Sequence, residues 1–112
     1  MSDAELIGEM IRLLTPPGSW CQGALARNAA GESVPAHAED AVAWSMDGAA
    51  ERGCEFGGTQ FGKIWASCLP RAGWPVYSAT SWRFNDRKRC THTAVLERLR
   101  IMRKNVMRRK VR

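Results

Sequence analysis

The chain has 112 residues, 45% of them hydrophobic, and a formal charge of +6 at pH 7. That size suits one domain burying roughly 65% of its unfolded surface, and the apolar content excludes a disordered chain. No apolar run approaches the ~20 residues of a membrane span, and "MSDAELIGEM" is acidic where a secretory signal is basic, so a cytoplasmic protein without membrane contact is expected.

Ser2 and Glu5 stand in the S-x-x-E arrangement that opens a helix, and Leu6, Ile7, Met10, Ile11 and Leu14 follow at helical spacing before "TPPG". The first helix is expected over residues 3–14. Next, "NAAG" resembles a short turn between residues 22–27 and 32–34, which predicts a small hairpin. A helical or irregular course is the alternative, because alanine is a poor strand former. "HAEDAVAWSMDGAAERG" reads as one helix with Ala41, Val42, Ser45 and Ala49 on a face, and Gly48 marks a close helix crossing. A short helix over residues 59–68 turns Phe61, Ile64, Trp65 and Cys68 inward and stops before Pro70. Ser78 is the expected cap of another short helix through "ATSWRF". Thr91 caps a long last helix on Val95, Leu96, Leu99, Met102, Val106 and Met107.

Charge is divided along the chain. Residues 1–82 carry five Lys/Arg against nine Asp/Glu, whereas residues 83–112 carry twelve against two. An acidic body with a basic end is the strongest functional signal. After Glu97 come eight Lys/Arg and no acid. A helix through the tail brings Arg98, Arg109 and Arg112 to one side and spreads Arg100, Arg103, Lys104 and Arg108 around the rest. Arg87, Lys88 and Arg89 extend the patch upstream. Only Val106 and Met107 are apolar between residues 103 and 110, too few to hold that end firmly. The expected division is therefore a compact domain over residues 1–102 and a basic helical extension over 103–112.

Three segments, "GSWCQGALARNAAGESV", "EDAVAWSMDGAA" and "FNDRKRCTHTAVLERL", resemble in order and spacing a small bacterial and phage domain family of unknown function (domain-of-unknown-function family 6197). Its pattern is W-x-Q-G-A-x-A-R, then A-V-x-W with G-A two turns on, then W-N-D leading to T-x-x-E-V-L. Phe84 stands at the tryptophan of W-N-D, and Ala94 replaces the glutamate that would complete a capping box with Thr91. The resemblance implies a fold rather than an activity.

"FNDRKRCTH", residues 84–92, offers an amide, a carboxylate, a thiol and an imidazole, but reads as a corner between helices. Asn85 and Asp86 would close an Asx turn, and Thr91 would cap. Cys90 and His92, two apart at a helix start, point to different sides, although a thiol there beside Arg89 is placed for a lowered pKa. Cys21, Cys54, Cys68, Cys90, His37 and His92 lack paired metal-ligand spacings, so free thiols and no metal are expected. Trp20, Gln22, Arg27 and Trp44 would suit a pocket for a planar or anionic ligand. The preferred reading is instead that both indoles are core and Arg27 pairs with a carboxylate such as Asp40 or Asp47.

The sequence therefore predicts a mainly helical α+β domain, with four or five helices and at most a small hairpin. No cofactor and no catalytic constellation are expected. The function expected is non-specific nucleic-acid binding or regulation, of phage or mobile-element type. Inhibition of a host or defence protein by docking is the second expectation, and a small enzyme using the Trp20/Arg27 region the third.

Overall fold

The computed structural model describes residues 2–54, 58–74 and 81–111, with the side chains of 58–61 and 109–111 outside the description. The first helix, α1 (Asp3–Leu14), opens as expected, with Ser2 Oγ accepting from the Glu5 amide at 3.1 Å. Leu6, Ile7, Met10 and Leu14 are buried along one face. At the far end Thr15 Oγ1 donates to the Ile11 carbonyl.

The hairpin forms with shorter strands, β1 (Ala26–Asn28) and β2 (Ser33–Val34). Asn28 shapes its turn, for its Oδ1 accepts from the amides of Ala30 and Glu32, while Gly31 takes φ +81°. A third strand, β3 (Ala41–Trp44), pairs antiparallel with the other edge of β1, giving the order β2-β1-β3.

This third strand corrects the expected helix over "HAEDAVAWSMDGAAERG". Only its second half is helical, as α2 (Met46–Gly53). Ala41, Ala43 and Trp44 are buried while Val42 is 50% exposed, so Val42 leaves the stripe assigned to it. The sequence has apolar residues at both spacings here. What decides is the open edge of β1, together with Ser45, whose Oγ accepts from the Gly48 amide at 3.0 Å and starts the helix after the strand. Gly48 does mark a close approach, but to backbone of the preceding loop rather than a helix. A Cβ there would run into the Leu25 carbonyl, which itself accepts from the Ser45 amide.

Helix α3 (Gly58–Arg71) continues through Pro70, where a stop was expected. A proline in the last turn removes one ladder bond, and the turn is closed by others. The Ala72 amide donates to Cys68 O, the Trp74 amide to Leu69 O, and Gly73 adopts φ +88°. Trp65 and Cys68 are buried and Ile64 half-buried, whereas the Phe61 side chain and the expected Ser78 cap lie outside the description. Helix α4 (Ser81–Asp86) precedes the corner. Helix α5 (His92–Val111) is capped by Thr91 Oγ1, which accepts from the Ala94 amide at 3.1 Å.

Helix α1 packs against both α2 and α5. Its apolar face meets Ala49 and Ala50 on one side and Val95, Leu99 and Met102 on the other. The attachment of α5 runs further than the apolar count suggested. Val106 is buried, and Asn105 Nδ2 donates to Ala72 O at 2.9 Å. No helix among the described residues is long and apolar enough to cross a membrane.

Candidate functional site

The corner residue Asn85 is fully buried and makes no Asx turn, contrary to the expectation from "FNDRKRCTH". Its side chain joins three segments. Oδ1 accepts from Trp20 Nε1 at 2.7 Å and from the Met46 amide at 3.0 Å, and Nδ2 donates to Cys21 O at 3.0 Å. A neutral amide is suited to this place because it donates and accepts together. Gln22 completes the seam, its Nε2 donating to the carbonyls of Asn85 and Arg87, both at 2.9 Å. Asp86 accepts from the Gly23 amide at 3.0 Å. An Asx turn is a local option; burial of α4 against α2 makes the distant partners stronger.

Beside this seam opens a cleft of about 290 Å³, lined by Gly23, Ala24, Leu25, Ser45, Asp47, Trp82 and Asp86. Three elements contribute: the loop before β1, the start of α2, and α4. Asp47 accepts from Trp65 Nε1 at 3.1 Å and from Ser81 Oγ. Burial pushes its pKa above the usual carboxylate value, the two hydrogen bonds pull it back, and the charge of Asp86 adds a smaller push upward. Trp82 stands 48% exposed at the rim, with the Arg83 guanidinium 5.3 Å from its ring centroid. Among the described residues no Lys or Arg lines the cleft.

Trp20, Gln22, Arg27 and Trp44 are drawn into the frame. Trp20 stacks on His92 at 6.0 Å, besides its bond to Asn85. Trp44 is buried, donates to Ala36 O, and carries Arg52 over its ring. Arg27 pairs with neither Asp40 nor Asp47. Its guanidinium donates to the carbonyls of Gly31 and Gln22, both at 3.0 Å. None of these four lines the cleft. Leu25, Asp47, Trp82 and Asp86 were missed because they come from three distant segments, each with an ordinary local reading.

The thiols are free: Cys21, Cys54 and Cys68 are buried and Cys90 is half-buried. Burial and the charge of Asp3 push the Cys68 pKa up to about 12. The expected lowering at Cys90 is reversed. Burial raises its pKa, and the opposing cation is Arg87 rather than Arg89. His92 turns away to the Leu14 carbonyl. No group of three or more His, Cys, Asp or Glu among the described residues is placed to hold a metal.

The cations fall into two kinds. Arg98 is half-buried over two rings, 5.4 Å from Trp74 and 5.7 Å from Phe84, which meet edge to face at 5.5 Å. Phe84 thus occupies an aromatic and cationic corner, with Arg87 at 5.8 Å. The side chains of Arg109, Lys110 and Arg112 lie outside the described residues. The Arg103 guanidinium lies over Gly8 of α1, 3.8 Å from where a Cβ would stand. Arg100, Lys104 and Arg108 are exposed at four-residue intervals, one row on the outer face of α5, with Ile101 and Met107 exposed alongside. Arg87, Lys88 and Arg89 are exposed at the corner. The ion pairs among the described residues, Glu9–Arg12 and Asp3–Arg71, include none of these cations.

The architecture is a small, mainly helical α+β domain whose motif segments meet at the Asn85 seam. The model of a family of unknown function, DUF6197, matches residues 1–105, and the chain belongs to that family. No curated protein and no solved structure matches it.

Proposed function

We propose that the protein is a small non-catalytic, nucleic-acid-associated or regulatory protein of phage or mobile-element type, acting in the cytoplasm. It binds the phosphate backbone through the outer face of α5 and the corner before it. The observation that carries this reading is the exposed row Arg100, Lys104 and Arg108, which has no carboxylate partner among the described residues. At ~1.5 Å rise per residue the row spans ~12 Å, against one phosphate per ~3.4 Å along a strand. Three cations therefore reach three or four phosphates. The helix dipole accounts for cations in the last turn only. Arg100 lies mid-helix, and Arg87, Lys88 and Arg89, which follow the negative end of the short α4, also stand before the positive end of α5, where cations are unfavourable. These positions need another explanation, and phosphate supplies one.

Deleting residues 107–112 removes Arg108, Arg109, Lys110 and Arg112 while keeping Asn105 and Val106 in place. Binding to DNA or RNA should weaken at least roughly tenfold at low salt, and the slope of affinity against salt should flatten by about 0.7–0.9 per lost contact. Equal affinities at every salt concentration, or no binding by the full chain, would overturn the reading. The half-exposed Ile101 and Met107 beside the row favour a second one, in which α5 docks on a host or defence protein. A stoichiometric protein complex that survives nuclease treatment would then be the result.

A further inference from the structure

We infer that the cleft between α2 and α4 receives a single unpaired nucleobase, stacked on Trp82, whose exocyclic amine is held by Asp47 and Asp86. The inference rests on the phosphate-binding reading above and names the nucleic acid as single-stranded. Four observations meet here. The cleft, at about 290 Å³, is at the small end of ligand sites and suits a base rather than a larger cofactor. Trp82, half-exposed at its edge, offers the indole on which any base stacks. Both carboxylates keep an uncommitted oxygen among the described residues. Among the described residues the partners of Asp86, Gly23 N and Asn85 Nδ2, donate to Oδ1, and those of Asp47, Trp65 Nε1 and Ser81 Oγ, do likewise.

The fourth observation is the division of charge. Among the described residues the cleft holds two carboxylates and no cation, so a phosphate is repelled from it. Immediately outside, exposed Arg83, Arg87, Lys88 and Arg89 flank Trp82 and Asp86 in the chain. A nucleotide can satisfy both zones in one orientation only, base inward and phosphate outward. The inward edge must donate hydrogen bonds. Cytosine presents an N4 amine, which a carboxylate accepts, whereas thymine and uracil present a carbonyl oxygen at that place. A duplex hides its bases from such a cleft, and a single strand does not.

The test measures affinities of the full chain for oligocytidylate and oligothymidylate of equal length at neutral pH and fixed salt. Oligocytidylate should bind at least roughly fivefold more tightly. Asp86→Asn keeps an oxygen for the Gly23 amide but places an amide in the cleft, and should abolish that preference without weakening oligothymidylate. Trp82→Ala should weaken both by roughly fivefold or more through lost stacking. Equal affinities for the two oligonucleotides, or a preference that survives Asp86→Asn, would sink the inference. Equal binding that still falls with salt and with deletion of residues 107–112 would leave the phosphate reading standing. Binding of neither oligonucleotide would remove both.

Discussion

Asn85 carries more of the structure than its place in a polar corner suggests. Replacing it with alanine leaves the Trp20 indole N–H, the Met46 amide and the Cys21 carbonyl without their partner. Each buried polar group left unpaired costs ~1–3 kcal/mol, so Asn85→Ala should destabilise by about 3–5 kcal/mol in chemical denaturation. A loss under ~1 kcal/mol would mean that water replaces the amide. Asp47 has the opposite character. Burial raises its folded pKa above the ordinary 3.8, so the folded protein holds that proton more tightly than the unfolded chain. Its contribution to stability is complete below pH 3.8 and is lost as pH rises through the higher folded value. Asparagine keeps an oxygen for Trp65 and Ser81 and never ionises. Asp47→Asn should therefore melt higher than the parent at neutral pH, with the gap closing below pH 3.8. At Asp3 the sign reverses, since the bond from Arg71 lowers its pKa and favours the folded state above the carboxylate range.

Helices were more readable than strands. The 3.6-residue period of α1 and α5 agrees with their caps at Ser2 and Thr91, so local propensity and burial point the same way. The test of their packing is Leu99→Ala. Leu99 is fully buried against α1, and its truncation should cost about 2–5 kcal/mol; under half a kcal/mol by denaturant titration would contradict that packing. β3 was not readable, because "AVAW" carries no β-branched run and its strand character comes from the edge of β1. The reach of α5 was underread for a different reason. Counting apolar residues gives Val106 its due but misses Asn105, a polar residue that anchors the helix through one hydrogen bond to Ala72.

At the scale of the whole molecule, the division between acidic body and basic end was plain from composition, but not how it is used. Of the ten cations expected to bind, Arg87, Lys88, Arg89, Arg100, Arg103, Lys104 and Arg108 are exposed, although the Arg103 guanidinium lies over Gly8 of α1. Trp20, Gln22 and Arg27 have polar groups aimed at backbone or at Asn85. That distinction depends on tertiary neighbours that no local pattern encodes. The cleft was beyond sequence reasoning because Trp82 joins Leu25 and Asp47 only when α4 docks.

The seam also dictates when the chain can fold. Its bonds from Trp20 and Gln22 to the Asn85 region close loops of 63–65 residues, and the α5 side chains that cover α1 come later still. Closing such loops costs entropy before any contact repays it, so helix formation can run ahead while the core waits. During synthesis, α1, the sheet and α2 leave the ribosome before their common partner has been made. The part of the α1 apolar face that meets α5 stays uncovered over that interval, which is when association with other nascent chains or with chaperones is most favourable. A fragment of residues 1–80 should accordingly show helical far-ultraviolet signal without a cooperative melting transition, whereas the full chain melts as one unit. A cooperative transition in the fragment would show that the N-terminal elements close a core of their own.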